Sequence, residues 1–386
     1  MSTSNYKRPR LPSHFYVLVD PPDSSGDEVL HFVSQSRKIK LKGHSFREFQ
    51  HLVIPFLDGK HTLVEIQERV ADVFEPEDLD ACFSLLAEQN LLEDADDSPP
   101  SEDLNLQLEP QLNFFHELSA QSGRAQERLR NSTVAVIGLG GAGASVALSL
   151  AAANVGALVC IDALPIAPAD PYLTSVFTPN DVGMQRAEVV RRGIEVIAPR
   201  VKASVISETL QTDIAVQAAI QGTDFVVCCI DTAQSSLAYK LNRVCLQTGV
   251  RWISCEAVGV EVVVGPTIEP YQTACYLCYK MRLVAANENP EDEFAFQRFL
   301  DQRNQDDSGC HENLVFGVGL ASNLVGLEVL KALTGTSLAT RGRIVVVDLL
   351  DFTMTKHVVL RKPWCPACFN EPTNAPAKAA HNSNSK

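Results

Sequence analysis

The chain has 386 residues, 45% of them hydrophobic, and a formal net charge of −14 at pH 7. This length predicts two or three domains, and the charge argues against duplex nucleic acid or an anionic membrane as the main partner. Because no segment near the start has the form of a signal peptide, we expect a cytoplasmic protein whose 11 cysteines are thiols or metal ligands rather than disulfides.

Residues 14–93 are predicted to form a winged-helix-like α+β module. Three strand-like runs come first, at Phe15–Val19, Val29–Ser34 and Lys38–Lys42. Three helical patterns follow, for which we predict Ser45 and Thr62 as N-terminal caps and Pro76 as the first residue of the third helix. In the last strand, lysine alternates with apolar residues, which places Lys38, Lys40 and Lys42 on one face.

A linker is predicted over residues 94–110, because residues 94–103 (DADDSPPSED) are acidic, rich in proline and unpatterned. The amphipathic segment Gln111–Arg130 then leads into a second domain, predicted over residues 111–369. Residues 370–386 are of low complexity and are predicted to be a disordered tail.

The stretch from Val134 to Asp162 has the order strand, glycine turn, helix, strand and terminal acid. The apolar run Val134–Ile137 enters the turn, an alanine-rich helical pattern leaves it, and a second apolar run ends in Asp162. This order is typical of a nucleotide-binding βαβ unit. The same glycines also serve the packing of a helix on a sheet, so the motif alone leaves nucleotide binding open.

Each residue of this motif has a predicted role. We expect Gly138 to allow the tight turn, Gly140 and Gly141 to let the backbone approach a phosphate, and Gly143 to let the helix lie close to the sheet. The helix N-terminus would offer N–H groups and a partial positive charge. Asp162 is expected to bind a ribose hydroxyl.

Helical and apolar strand patterns continue to alternate after Asp162, which predicts an α/β fold with a doubly wound, mostly parallel sheet. The run Phe225–Ile230 is wholly apolar and ends in Asp231, where ligands bind in such sheets. Val260–Ile268 predicts a change to antiparallel pairing. The longest apolar stretch, Val146–Ile161, contains Asn154 and Gly156 and is predicted to be core rather than a membrane span.

Two CxxC pairs, Cys275 with Cys278 and Cys365 with Cys368, predict a metal site. Four thiolates suit a closed, tetrahedral, structural zinc site that would hold the C-terminal segment onto the domain. One redox-active pair plus a chance pair, or four ordinary thiols, are the alternatives.

The glycine motif, Asp231, the two CxxC pairs and the segment Cys310–Gly335 together resemble the ThiF/MoeB superfamily, the prokaryotic relatives of ubiquitin-activating enzymes. The resemblance covers residues 111–368. It implies a homodimer with structural zinc that uses ATP and Mg²⁺ to adenylate the C-terminal carboxylate of a small protein or peptide. It also implies that Asp231 is the magnesium ligand. Two interpretations of Cys310 stay open, a reactive thiol or an ordinary one.

The N-terminal module resembles the RiPP recognition element, which captures the leader of a ribosomally made precursor peptide. Its fusion to a ThiF-like domain resembles the partner protein of YcaO cyclodehydratases, which make azolines in thiazole/oxazole-modified peptides. This resemblance implies that the peptide adds as a strand to the edge at Lys38, Lys40 and Lys42, with Leu85 as an apolar contact. Lysines on an exposed edge also protect it from aggregation, which is the simpler interpretation.

The chain departs from the superfamily pattern at the phosphate-binding positions. Asp170 and Leu173 stand where the family has Asn and Arg, Arg186 stands where it has Lys, and Pro110 lies near the expected N-terminal arginine. Fewer cations would face the triphosphate, and Arg does not replace Lys at a tight phosphate site. These departures predict a degenerate nucleotide site.

Two functions follow from the sequence. In the first, the chain binds a leader peptide and presents it to a YcaO-type cyclodehydratase. In the second, it adenylates a peptide or small-protein carboxylate itself, with Asp231 on magnesium and Arg186 on phosphate as the catalytic residues. The double CxxC argues against a nicotinamide oxidoreductase.

Overall fold

Packing divides the chain into Met1–Arg128 and Leu129–Lys386, here called unit 1 and unit 2. The computed structural model describes residues 6–97, 102–118, 122–229, 235–286, 289–292, 295, 298–299 and 313–369. The tail predicted over residues 370–386 therefore lies outside the described residues. The domain boundary predicted at residue 111 stays a prediction.

Unit 1 contains the three strands that the sequence predicts. They are β2 (Tyr16–Asp20), β3 (Glu28–Val33) and β4 (Lys38–Gly43), and they follow the short strand β1 (Pro9–Arg10). β2, β3 and β4 form an antiparallel sheet in chain order, with Leu30 opposite Leu41 and Phe32 opposite Ile39. Leu30 and Phe32 are fully buried, because alternate residues of β3 face the core of the unit.

Three helices pack on this sheet, as predicted: α1 (Phe46–Leu52), α2 (Leu63–Val70) and α3 (Pro76–Glu88). Thr62 caps α2, since its side chain accepts a hydrogen bond from the Glu65 N–H while the Glu65 carboxylate accepts from the Thr62 N–H. The cap predicted at Ser45 is wrong. Ser45 has a left-handed backbone with φ of 58° and its side chain makes no capping bond. The Glu28 carboxylate instead accepts from the Arg47 N–H at 2.9 Å.

Regular structure extends into both ends of the predicted linker. β5 (Glu93–Asp94) pairs with β1, and α4 (Glu102–Leu118) begins inside the segment that the sequence leaves unpatterned. α5 (Ser122–Arg130) follows. The pairing of Asp94 with Pro9 joins residues far apart in sequence, which no local pattern can indicate.

A buried polar network ties α4 to β5. Nδ1 of His116 lies 2.9 Å from the Glu93 carboxylate and Nε2 lies 2.8 Å from the Asn90 carbonyl oxygen. Ser122 and Arg10 also donate hydrogen bonds to Glu93. Burial raises the pKa of Glu93, but these donors outweigh burial and lower the pKa to about 2. Both oxygens of Glu93 and both ring nitrogens of His116 therefore have hydrogen-bond partners.

Unit 2 is built on an eight-stranded sheet within the described residues. Its strands are β6 (Thr133–Ile137), β7 (Ala157–Ile161), β8 (Lys202–Ile206), β9 (Phe225–Cys228), β10 (Arg251–Val258), β11 (Glu261–Ile268), β12 (Arg343–Asp348) and β13 (Met354–Val358). Their order is β13-β12-β11-β10-β9-β6-β7-β8. The neighbours from β10 through β9, β6 and β7 to β8 pair in parallel. The neighbours from β10 through β11 and β12 to β13 pair antiparallel. The predicted mostly parallel α/β fold, including the antiparallel change at β11, is confirmed.

Helices connect these strands. They are α6 (Gly141–Ala152), α7 (Arg186–Ile197), α8 (Asp213–Ala219), α9 (Ser235–Thr248), α10 (Tyr276–Ala286) and α11 (Val315–Thr334). β6 lies between β7, to which α6 connects it, and β9, which comes later in the chain. The strand order therefore reverses at β6, and a crevice forms beyond the carboxyl ends of such strands. The glycine turn (residues 138–143) lies at this point.

Among the described residues, one helix is long and apolar enough to cross a membrane, namely α11. Half of its most apolar window is buried inside the unit, as in the core helix of a globular domain. The stretch Val146–Ile161 is core, as predicted: Val146, Leu150 and Leu158 are almost fully buried.

The close approach of α6 to the sheet yields a testable prediction. A Cβ atom on Gly143 would lie 1.8 Å from the carbonyl oxygen of Gly138, so Gly143→Ala must displace backbone. We expect a loss of about 3 kcal/mol or more in the free energy of unfolding, measured by urea titration. Gly319→Ala is the matched control: it also lies inside a helix, has open space around its Cβ position, and should be neutral or stabilise by up to about 1 kcal/mol. Equal effects would contradict this geometry.

Candidate functional site

The glycine turn has the geometry of a strand-to-helix turn that an anion can approach. Gly138 has φ of +82°, a conformation that side chains disfavour, and its N–H donates to the Ile161 carbonyl at 3.0 Å. Gly140 is the N-cap residue of α6, so the first N–H groups of the helix face the crevice edge. Gly141 also serves packing, because a Cβ there would lie 2.7 Å from a methyl carbon of Val318.

Asp162 braces this turn from the end of β7. Its carboxylate accepts hydrogen bonds from the N–H of Leu139 at 2.7 Å and from the N–H of Leu164 at 2.8 Å. The Asp162 side chain is buried. A ribose hydroxyl, the predicted partner of Asp162, would have to share a carboxylate that already holds two backbone groups. That nucleotide role stays a prediction.

Arg186 lies beside the turn and is paired with Asp170. Its Nε and Nη2 donate to the two Asp170 carboxylate oxygens at 2.7 and 3.0 Å, and its Nη1 lies 3.6 Å from Asp162. A Cβ on Gly140 would lie 3.9 Å from the same Nη1. The cation predicted to hold phosphate is therefore at the glycine turn, but two of its directed N–H bonds go to an internal carboxylate.

Leu173 places an apolar side chain beside the glycine turn. Leu173 Cβ would lie 3.4 Å from a Cβ on Gly141, so the position at which the family carries an arginine is beside the turn. Pro110, near the expected N-terminal arginine, lies within α4 of unit 1. Asp231, the predicted magnesium ligand, and Cys310 lie outside the described residues.

A cavity opens at the carboxyl ends of β6 and β7. Gly138 and Asp162 line it together with polar side chains from β8 to α9: Glu208, Gln211, Ser236 and Lys240. These four residues are absent from the predicted site. They lie in the segment between β8 and α8 and in the first two turns of α9, and strand order is needed to bring them together.

The four predicted metal ligands meet in unit 2. The sulfur atoms of Cys275, Cys278, Cys365 and Cys368 all lie within 4.8 Å of one another, and all four side chains are buried. Three of the separations are 3.7 to 3.8 Å. A tetrahedral zinc with bonds of about 2.3 Å separates its sulfur ligands by about 3.8 Å, and no pair is close enough for a disulfide. The donor set therefore fits a metal ion.

The predicted peptide-contact residues lie on two elements of unit 1. β4 is an edge strand of its sheet, with Lys38, Lys40 and Lys42 exposed. Lys42 is paired locally with Asp23 and Asp27, at 3.1 and 2.9 Å. Leu85 on α3 is 37% exposed and lies off the buried stripe of that helix. An open edge and an apolar side chain are both present, while the charge of Lys42 is already matched.

Comparison with known proteins places this geometry in a family. A family model described as the ThiF family matches residues 108–367, more than half of the chain. The sulfur carrier protein adenylyltransferase of Thermus thermophilus is 26% identical over 252 residues, which are 64% of this chain and 86% of that protein. The ThiS adenylyltransferase of Escherichia coli is 27% identical over 245 residues, which are 63% and 88%.

Solved structures of E. coli MccB share the fold of the whole chain. The structure with ATP has a TM-score of 0.69 at 17% identity and covers 94% of this chain and 99% of MccB. The structure with MccA-N7isoASN has a TM-score of 0.70 at 18% identity and covers 93% and 99%. At this identity the likeness shows the fold alone. It extends over both units.

Proposed function

This chain belongs to the ThiF family, and from that premise we propose that it activates the carboxylate of a peptide by ATP-dependent adenylation. The likeness to MccB carries the proposal, because it spans 99% of a protein solved with ATP and with an MccA peptide. The curated relatives include adenylyltransferases of sulfur carrier proteins. This was the second of the two functions drawn from the sequence, and the comparisons support it better than the first.

In the proposed reaction, a carboxylate oxygen of the peptide attacks the α-phosphorus of ATP. The bond from that phosphorus to the bridging oxygen breaks, which yields an acyl-adenylate and pyrophosphate. The first N–H groups of α6 would hold phosphate oxygens, and Arg186 would add a charge-assisted donor once it leaves Asp170. Magnesium, when bound, offsets phosphate charge, and Asp231 is its predicted ligand.

Unit 1 would capture the peptide substrate. An extended segment can pair its backbone with the open edge of β4, where Lys38 and Lys40 would attract acidic residues. Leu85 would supply an apolar contact. This is the role of the RiPP recognition element that the N-terminal module resembles, and we propose it for this chain in a cytoplasmic homodimer.

A second candidate function rests on a specific observation. Arg186 is held by Asp170, and Leu173, an apolar side chain, lies beside the glycine turn where the family resemblance predicts an arginine. A site with so little positive charge suits a protein that binds a leader peptide and leaves the ATP chemistry to a YcaO-type cyclodehydratase. The two candidates share peptide binding and differ in whether this chain turns over ATP.

The four-cysteine cluster is proposed to hold one structural zinc ion. The sulfur separations and their burial support this. With four sulfur ligands, no coordination position remains for substrate. A donated hydrogen bond raises the pKa of Cys275, and the same bond lowers the pKa of Cys278, as expected where thiol and thiolate share a site.

Pyrophosphate exchange tests the proposed reaction. The full-length protein is incubated with ATP, magnesium, labelled pyrophosphate and a synthetic peptide that has an acidic extended segment and a free C-terminal carboxylate. We expect label to enter ATP only when the peptide is present. Arg186→Met should reduce the exchange rate by about a hundredfold or more, the usual effect of losing one donor to developing charge.

Arg243→Met is the matched control for this assay. Arg243 forms a similar two-bond pair with Asp213, but on the surface, so its loss should leave exchange unchanged. Thermal unfolding of both variants checks that they are folded. If the wild-type protein binds the peptide but shows neither exchange nor ATP binding, the adenylation proposal is wrong and the second candidate stands.

Metal analysis tests the zinc proposal. Protein purified without chelator should contain one zinc per chain, and Cys365→Ser should lose it and unfold at a lower temperature. Cys82→Ser, at a half-buried cysteine of unit 1, should keep both properties. Metal-free wild-type protein that is fully folded would refute the proposal.

A further inference from the structure

Three charged side chains are buried together beside the glycine turn. Asp170 is 2% exposed, Arg186 6% and Asp162 8%. Two carboxylates and one guanidinium give the group a net charge of −1 when all are ionised. Charges in such a position interact strongly, because little water is present to screen them.

The two carboxylates bind different partners. Asp170 binds Arg186 through two parallel N–H···O bonds, the strongest arrangement for this pair. Asp162 lies farther from the guanidinium, at 3.6 Å, and its oxygens accept from backbone N–H groups. Of the two described carboxylates, Asp170 therefore holds Arg186 more closely.

We propose that Asp170 is a specificity-determining residue that weakens the binding of ATP by competing with its phosphates for Arg186. A phosphate at the glycine turn meets a cation whose Nε and Nη2 are occupied and a group whose net charge repels it. The adenosine part of the ligand does not face this competition. The inference rests on the proposed nucleotide site, and it identifies the residue that sets the affinity of that site for phosphate.

The substitution Asp170→Asn isolates this effect. One Asp170 oxygen also accepts a hydrogen bond from the Ala167 N–H at 2.9 Å, and the amide oxygen of asparagine can keep that bond. The same oxygen accepts from Arg186 Nε, so that contact remains, but to a neutral amide. The NH₂ group replaces the oxygen that accepts from Nη2 and cannot accept. The loop should keep its shape while Arg186 loses its charged partner and one of the two bonds.

Isothermal titration of the full-length protein with magnesium and either ATP or adenosine tests the proposal. Asp170→Asn should lower the Kd for ATP by about tenfold or more, the effect of one charge-assisted hydrogen bond, and leave the Kd for adenosine unchanged. Adding Arg186→Met to this variant should remove the gain. Asp213→Asn, which breaks the surface pair with Arg243, should change neither affinity.

Asp170→Ser provides a second charge-free variant in case asparagine disturbs folding, and it should show the same gain for ATP. The proposal is overturned if folded charge-free variants bind ATP no better than the wild type, if no variant binds ATP, or if adenosine binding tightens equally. A gain in ATP affinity in Asp170→Asn, with no peptide-dependent exchange by the wild type or the variant, would overturn the proposed function and leave this inference standing. Pyrophosphate exchange by the wild type, with no gain in ATP affinity in the variant, would overturn this inference and leave the proposed function standing.

Discussion

The backbone contact between Gly138 and Gly143 is the constraint on which the nucleotide-type site depends. The space between the Gly138 carbonyl and the Gly143 Cα admits no side chain, so α6 starts directly against the end of β6. The Asp162 carboxylate then holds the turn through the Leu139 N–H. These contacts place the N-terminus of α6 at the crevice. Our proposal that this chain binds phosphate rests on that position.

The same crevice carries an unusual charge balance. A site that holds a triphosphate needs cations, and in this chain the cation beside the glycine turn, Arg186, is bound to Asp170. Replacing one partner of a buried pair generally costs stability, since the other charge is left alone. Losing either partner of this pair should therefore destabilise the turn, and in our proposal the pair also sets a threshold for phosphate binding.

Much of the fold could be predicted because its signals are local. Apolar runs, the glycine turn and the cap at Thr62 follow from neighbouring residues, and the two CxxC pairs form one cluster as predicted. Ser45 shows the limit: it has the right chemistry for a cap, but a left-handed backbone and the distant Glu28 decide the outcome.

The site was less predictable, because its parts meet only through strand order. The family resemblance predicts an asparagine at the position of Asp170, but no local pattern indicates that Asp170 binds Arg186, 16 residues later in the chain. Glu208 and Lys240 reach the same cavity from separate elements, and no spacing in the sequence links them to Gly138.

A crystal structure of the full-length protein with a non-hydrolysable ATP analogue tests the account most directly. We predict adenosine in the cavity lined by Asp162 and Glu208, phosphate oxygens within hydrogen-bond distance of the first backbone N–H groups of α6, and Arg186 donating to a phosphate instead of to Asp170. At saturating analogue, an Arg186–Asp170 pair that persists beside an empty glycine turn would contradict the account.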